Sequence, residues 1–158
     1  MRKRTRGWRE TTCLAVACLC LATAISATCP GAQGETAHEA RLDRLRLLFS
    51  KEQYGEAITE AQRLLEDHPT GEVLAETLLL KGLCHSKRGE RSEALVSLKS
   101  LLVLTPESRF TAKAGFTTGL LHLARREPRK ARAIFLDLVR RDPASGYARR
   151  ARRMLNLS

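Results

Sequence analysis

From about residue 36 onward, apolar residues recur at helical spacing and show no strand-like alternation. One stripe is Ala57, Ile58, Ala61, Leu64 and Leu65. Thirty-seven residues later the same offsets hold Ala94, Leu95, Leu98, Leu101 and Leu102. After the same interval again they hold Ala131, Phe135, Leu138 and Val139, with Arg132 as the one polar interruption. Offsets of i, i+1, i+4, i+7 and i+8 place these side chains on one face of a 3.6-residue helix. Pro69, Pro106 and Pro143 follow the three stripes with the same spacing. Proline lacks an N–H and clashes with the preceding turn, so each should end its helix. Gly71, Ser108 and Ser145 lie two residues further on, where an N-cap for the next helix is expected.

A second set of helices should precede these. One runs from about Glu72 to Lys87, with Leu74, Leu78, Leu79, Gly82 and Leu83 on its apolar side. The next runs from about Arg109 to Arg125, with Ala112, Gly115, Phe116, Gly119, Leu120 and Leu123. Gly82 and Gly119 share a repeat position, as do His85 and His122. An interior helical glycine costs about 1 kcal/mol against alanine. Its recurrence predicts close approach of a neighbouring helix backbone, and the histidines read as packed between paired helices. Beyond Pro143 a last helix, Ser145 to about Leu155, carries Tyr147, Ala148, Ala151, Met154 and Leu155 on one face. The fold class is all-α, and internal repetition at a fixed period is the mark of stacked units that bury one continuous core together.

The chain resembles the tetratricopeptide repeat (TPR) family. The resemblance rests on the small residue of the first helix (Gly82, Gly119), the alanine of the second (Ala57, Ala94, Ala131), the closing proline, and Tyr54 at the family's aromatic position. It covers about residues 36–158, as units at about 38–71, 75–108 and 112–145 and an end helix at 145–156. The family's tryptophan is missing from every unit, and the first unit has Leu45 where the small residue belongs. The resemblance implies a right-handed superhelical TPR solenoid with a concave groove lined by first helices. Carried over residue by residue, that groove comprises Glu39, Leu42, Arg46 and Phe49, then Glu76, Leu79, Leu83 and Ser86, then Lys113, Phe116, Leu120 and Leu123. Leu79, Leu83, Phe116, Leu120, Leu123 and Lys113 are the candidates for contact with a protein or peptide partner. TPR units commonly span about 34 residues. The longer period here looks like that of bacterial cell-envelope TPR proteins of the Tol–Pal and β-barrel assembly systems.

The start of the chain reads as an address. Arg2, Lys3, Arg4, Arg6 and Arg9 precede an apolar run from Cys13 to Ala27. That order matches a secretory signal over residues 1–27, followed by a flexible leader over 28–35. The run is short for a membrane span, which needs about 20 residues; an uncleaved anchor is the alternative. Cys29 follows Ser26, Ala27 and Thr28, an imperfect setting for bacterial lipidation. Cys13, Cys18 and Cys20 lie within the signal, and Cys84 falls in a helical stripe, where a small buried hydrophobe is expected. A periplasmic or envelope location is therefore expected.

Composition sharpens this picture. The chain has 158 residues, 43% of them apolar but only 4% aromatic, so its core must be built from Leu, Ala, Val and Ile. The net charge is +11 and very uneven. Residues 28–108 carry ten bases and thirteen acids, and residues 109–158 thirteen bases and three acids. Arg140, Arg141, Arg149, Arg150, Arg152 and Arg153 form a candidate basic face. It points to an alternative role: an adaptor docking to an anionic surface, whether lipid, lipopolysaccharide or an acidic protein. Nucleic acid is not expected, since the basic stretch lacks interleaved aromatics for base stacking. His38, His68, His85 and His122 are too scattered for a local metal site. The sequence has no nucleophile elbow, phosphate loop or zinc-protease motif. No enzyme and no cofactor is implied.

Overall fold

The structure, a computed structural model, describes residues 30–156, with side chains from residue 37. The expected signal and Cys29 lie outside the described residues. The chain divides at Gly34 into two units, and the second, Glu35–Ser158, holds the helical core. Seven helices and no strand occur among the described residues: α1 (Pro30–Ser50), α2 (Tyr54–Glu66), α3 (Gly71–Lys87), α4 (Arg91–Leu104), α5 (Thr111–Ala124), α6 (Pro128–Arg141) and α7 (Gly146–Asn156). The protein is all-α. Helix α1 begins at Pro30, inside the stretch read from sequence as a flexible leader. Proline suits a first helical position, where its missing N–H is not needed.

The helices pair as α1–α2, α3–α4 and α5–α6, each pair joined by three residues. The three turns share one backbone. Their middle residues, Glu52, Gly89 and Arg126, have φ of 60°, 82° and 60° and lie 37 residues apart. In each turn the next N–H reaches back five residues, Gln53 to the Leu48 carbonyl (3.0 Å), Glu90 to His85 (2.9 Å) and Glu127 to His122 (2.9 Å). A left-handed residue closing the helix under this reach-back bond is the Schellman motif, which satisfies carbonyls otherwise orphaned at a helix end.

Packing within a pair turns on one crossing. At Gly82 an added Cβ would lie 2.8 Å from Leu98 Cγ, and at Gly119 it would clash with the edge of the Phe135 ring, with Cζ and Cδ1 at 2.7 and 2.8 Å and Cε1 nearer still. The repeated glycine therefore accommodates a large side chain from the partner helix. The expected close backbone is met at Gly82, where the Ala94 carbonyl oxygen lies 3.4 Å from the added Cβ, behind the Leu98 carbons; at Gly119 the three nearest atoms all belong to the Phe135 ring. The first pair solves the same problem in reverse. Leu45 takes the glycine's place and Ala61 takes that of Leu98 and Phe135, both fully buried in one cluster. Each crossing thus holds one large and one small residue.

Stacking between pairs is equally regular. Leu80 and Cys84 of α3 bury themselves among Leu42, Leu45, Ala57, Ala61 and Leu64 of the first pair. Ala114 and Leu121 of α5 join the core of the second pair, and Ala151 of α7 joins that of the third. The first helices of successive pairs also meet directly, α3 with α5 and α5 with α7. Burial raises the Cys84 thiol to about 11, so it stays protonated and serves as core. The expected caps are realised unevenly. Ser145 Oγ accepts the Tyr147 N–H at the start of α7 (3.2 Å). Ser108 Oγ accepts the Phe110 N–H in the loop before α5 (3.2 Å). Gly71 is itself the first residue of α3, after Thr70.

Two measurements test the crossing. Gly119→Ala should lower stability by about 1–3 kcal/mol, because overpacking against Phe135 outweighs the gain in helix propensity. Gly115→Ala on the same helix should be neutral or raise stability by up to about 1 kcal/mol, since its new Cβ meets only Leu138 Cδ1 at an ordinary 3.9 Å. Chemical denaturation of both variants gives the two signs. Separately, Leu45→Gly alone should cost at least about 3 kcal/mol, and adding Ala61→Leu should recover a large part of it. A double-mutant cycle with no coupling would contradict the exchange of large and small residues.

Candidate functional site

The six groove candidates do not share one environment. Leu79 is 1% exposed and belongs to the core of the second pair, with Leu83 half-buried against that core. Phe116 and Leu123 are half-buried against the core of the third pair. The Phe116 ring lies 5.7 Å from that of Phe135 and 5.9 Å from that of Tyr147. Lys113 is half-buried, and Leu120 is the most open apolar member, 39% exposed. Leu83 and Leu120 occupy one repeat position on adjacent first helices, and Arg46 occupies it on α1. The accessible apolar part of this face is therefore Leu83 and Leu120 with the edges of Phe116 and Leu123.

Charge closes the α1 side of the same face. Arg46 Nε and Nη2 donate to Glu76 Oε1 and Oε2 at 2.8 and 2.6 Å, and Nη1 donates to Asp43 at 2.6 Å. The paired hydrogen bonds to Glu76 raise the Arg46 pKa further. Such a bidentate pair is directional and ties α1 to α3. Arg109 extends the network from the next loop, 3.5 Å from Glu72 and 3.9 Å from Glu76.

The repeated histidines are clasped. The Nδ1–H of His85 donates to Glu90 Oε2 at 2.6 Å, and that of His122 to Glu127 Oε2 at 2.6 Å. Both glutamates are the N-cap residues of the following helices, where a carboxylate favours the dipole. Histidine and glutamate thus lock the same turn that the backbone motif closes. Glu90 and Glu127 were not singled out from sequence, although their 37-residue spacing was visible there. The first pair has Leu48 and Gln53 instead, with the same backbone and no clasp. Among the described residues, no group of three His, Cys, Asp or Glu side chains could hold a metal. No helix among them is long and apolar enough to cross a membrane.

The outer loops carry two clefts related by the repeat. One, of about 530 Å³, is lined by Leu74 and Leu104 beside Pro106. The other, of about 570 Å³, has Thr111 and Arg141 at the matching positions. With Glu107, Arg109 and Asp142 also lining the second cleft, the same place in the fold changes from mainly apolar to mixed charge within one repeat.

The basic residues behave differently in the two halves. Arg41, Arg44, Arg46, Arg63, Arg88 and Arg109 each lie within 4 Å of a carboxylate. Of the six candidates for a basic face, only Arg141 has such a partner among the described residues, Asp137 at 2.9 Å. Arg149 Nη1 donates to the Ala144 carbonyl at 2.9 Å and Arg152 Nη2 to the Pro143 carbonyl at 3.0 Å. The Arg150 guanidinium sits 5.7 Å above the Tyr147 ring.

No family model matches the chain, and no curated protein does.

The clasp has a consequence in acid. Its hydrogen bond from His122, aided by Lys130 and Arg125, holds the Glu127 carboxyl below its ordinary value of 4.5. A carboxyl whose folded value is depressed contributes stability above its unfolded value, and loses it as pH falls through the folded one. Glu127→Gln should therefore lower the melting temperature at about pH 7, and the gap from the parent should narrow as pH falls below 4.5. Thermal melts across that range check it; a gap that widens in acid would refute the assignment.

Proposed function

We propose that this chain is a TPR-like scaffold that holds an apolar segment of another protein against its first helices. The observation that carries the reading is the contact of first helices across successive pairs. It brings Leu83 and Leu120 into register as partly exposed apolar residues flanked by Phe116 and Leu123. An amphipathic helix or extended peptide laying two or three apolar anchors on such a row is a recurrent mode of recognition. Lys113 beside it, and the Arg46–Glu76 pair at its α1 side, would set the orientation of the segment. The role is one of binding, with no reaction.

The 37-residue period, the three equivalent turns and the small-to-large crossing support a solenoid of the TPR type. The basic leader with its apolar run supports export, with the cell envelope as the place of action. The partner is then a subunit of an envelope complex.

Crosslinking tests this directly. A photoreactive residue at position 120 should attach to one protein in intact cells, whereas the same residue at exposed Val103 on α4 should not. Leu83→Ser combined with Leu120→Ser should lower capture on the order of tenfold while the melting temperature holds, as expected when interface anchors are removed. Undiminished capture would remove the first-helix face from consideration.

A further inference from the structure

The two ends of the helical stack are both polar, but only one is neutralised. Stacked repeats need polar terminal faces to stay soluble. At the α1 end this is met by mixed charge: Asp43 occupies the repeat position of buried Leu80, and Arg41, Arg44 and Arg46 all have carboxylate partners. At the α7 end it is met by arginine alone. Arg132 stands where Ile58 and Leu95 pack in the earlier pairs, and Arg152 stands where α5 has Gly115. Arg132, Arg149, Arg152 and Arg153 are exposed, and among the described residues none has a carboxylate within 4 Å. Solubility does not require this, since interspersed charges achieve it without self-repulsion.

The guanidinium groups are also held in place without being cancelled. Backbone carbonyls fix Arg149 and Arg152, and a ring face fixes Arg150. Positioned arginines that keep their full charge suit phosphate oxygens. Helix α6 adds a row at i, i+3, i+7 and i+11: Arg129, Arg132, Leu136 and Arg140, with Leu136 40% exposed among the charges. An exposed leucine within an arginine row fits the headgroup–acyl boundary of a bilayer. It has no use against a phosphodiester duplex, and the nearby rings of Phe116 and Tyr147 are engaged with each other.

We infer that the α6–α7 end is a docking face for an anionic phospholipid membrane. The choice of lipid over other polyanions rests on the reading of the leader: an export signal carries the chain across a bilayer whose lipids it then faces, and an uncleaved anchor or a lipidated Cys29 would hold it there. A single apolar anchor binds membranes marginally, and a polybasic patch is the usual second signal.

Vesicle sedimentation of the full chain separates the two contributions. Binding to phosphatidylcholine alone reports the leader; the increment on adding phosphatidylglycerol reports the arginine face. The increment should disappear in about 0.5 M salt, where charge is screened beyond a few ångströms. The variant with Arg149, Arg152 and Arg153 all changed to Gln should lose about fivefold per arginine, on the order of a hundredfold together. The triple variant R129Q/R132Q/R140Q on α6 provides a second test, with circular dichroism melts to confirm folding. Arg41→Gln with Arg44→Gln, at the opposite end, should leave the increment intact. An undiminished increment in both folded triple variants overturns the inference. So does its absence in the parent chain, whether or not duplex DNA or polyglutamate binds in its place. Loss of phosphatidylcholine binding with the increment retained would overturn only the reading of the leader.

Discussion

The structure depends on how much volume two helices can share where they cross. In every pair one side of the crossing is large and the other small: Leu45 over Ala61, Gly82 under Leu98, Gly119 under Phe135. That sum sets the distance between paired helices and hence the width of the unit. The width in turn decides which residues of the first helix remain for the next pair. Leu80 and Cys84 reach the first pair because each stands two positions from Gly82, on the side of α3 opposite the crossing with α4. Close-packed interiors tolerate exchange of volume between neighbours better than its net loss or gain. The first unit therefore keeps the geometry of the others while reversing their residues.

Much of this was legible before any coordinates. Periodicity marked the helices, and the 37-residue spacing marked their pairing and the final helix. The glycines were visible too, but what fills the space beside them was not. A missing Cβ has the same appearance in sequence whether backbone or a side chain occupies the gap. Leu45 looked like a departure for the same reason, because its compensation lies sixteen residues away in another helix. The first-helix face shows a second limit. Leu79 and Leu83 are one turn apart and equally apolar, yet one is enclosed and the other reaches the surface. A helical stripe gives the direction of a side chain but not how far the neighbouring pair overlaps it.

Local electrostatics divide the molecule along its length. In the first two pairs arginine is mostly a connector: Arg46 joins α1 to α3, Arg41 joins α1 to the end of α2, and Arg109 reaches back to Glu72 and Glu76. In the last pair Arg125 and Arg141 still meet Glu127 and Asp137, but the arginines of α7 have no carboxylate partner among the described residues. His122 and Glu127 show that the third unit still uses carboxylates for internal structure. What it lacks is a supply beyond that need: Glu127, Asp137 and Asp142 are all the acids after Arg109. The excess positive charge of the chain is thus a consequence of where acids stop, as much as of where arginines gather.

Helix α7 occupies the place of a first helix, but no described second helix follows it. The described chain therefore opens and closes on the same kind of element, like a fence with a post at each end. Four first helices and three second helices make up the described fold, and the first helices α3, α5 and α7 touch in succession along one side. A ligand following the first helices would meet one more support than the number of complete pairs, and the extra support is the arginine-rich one. Removing α7 would therefore shorten that side by a quarter while leaving every complete pair present.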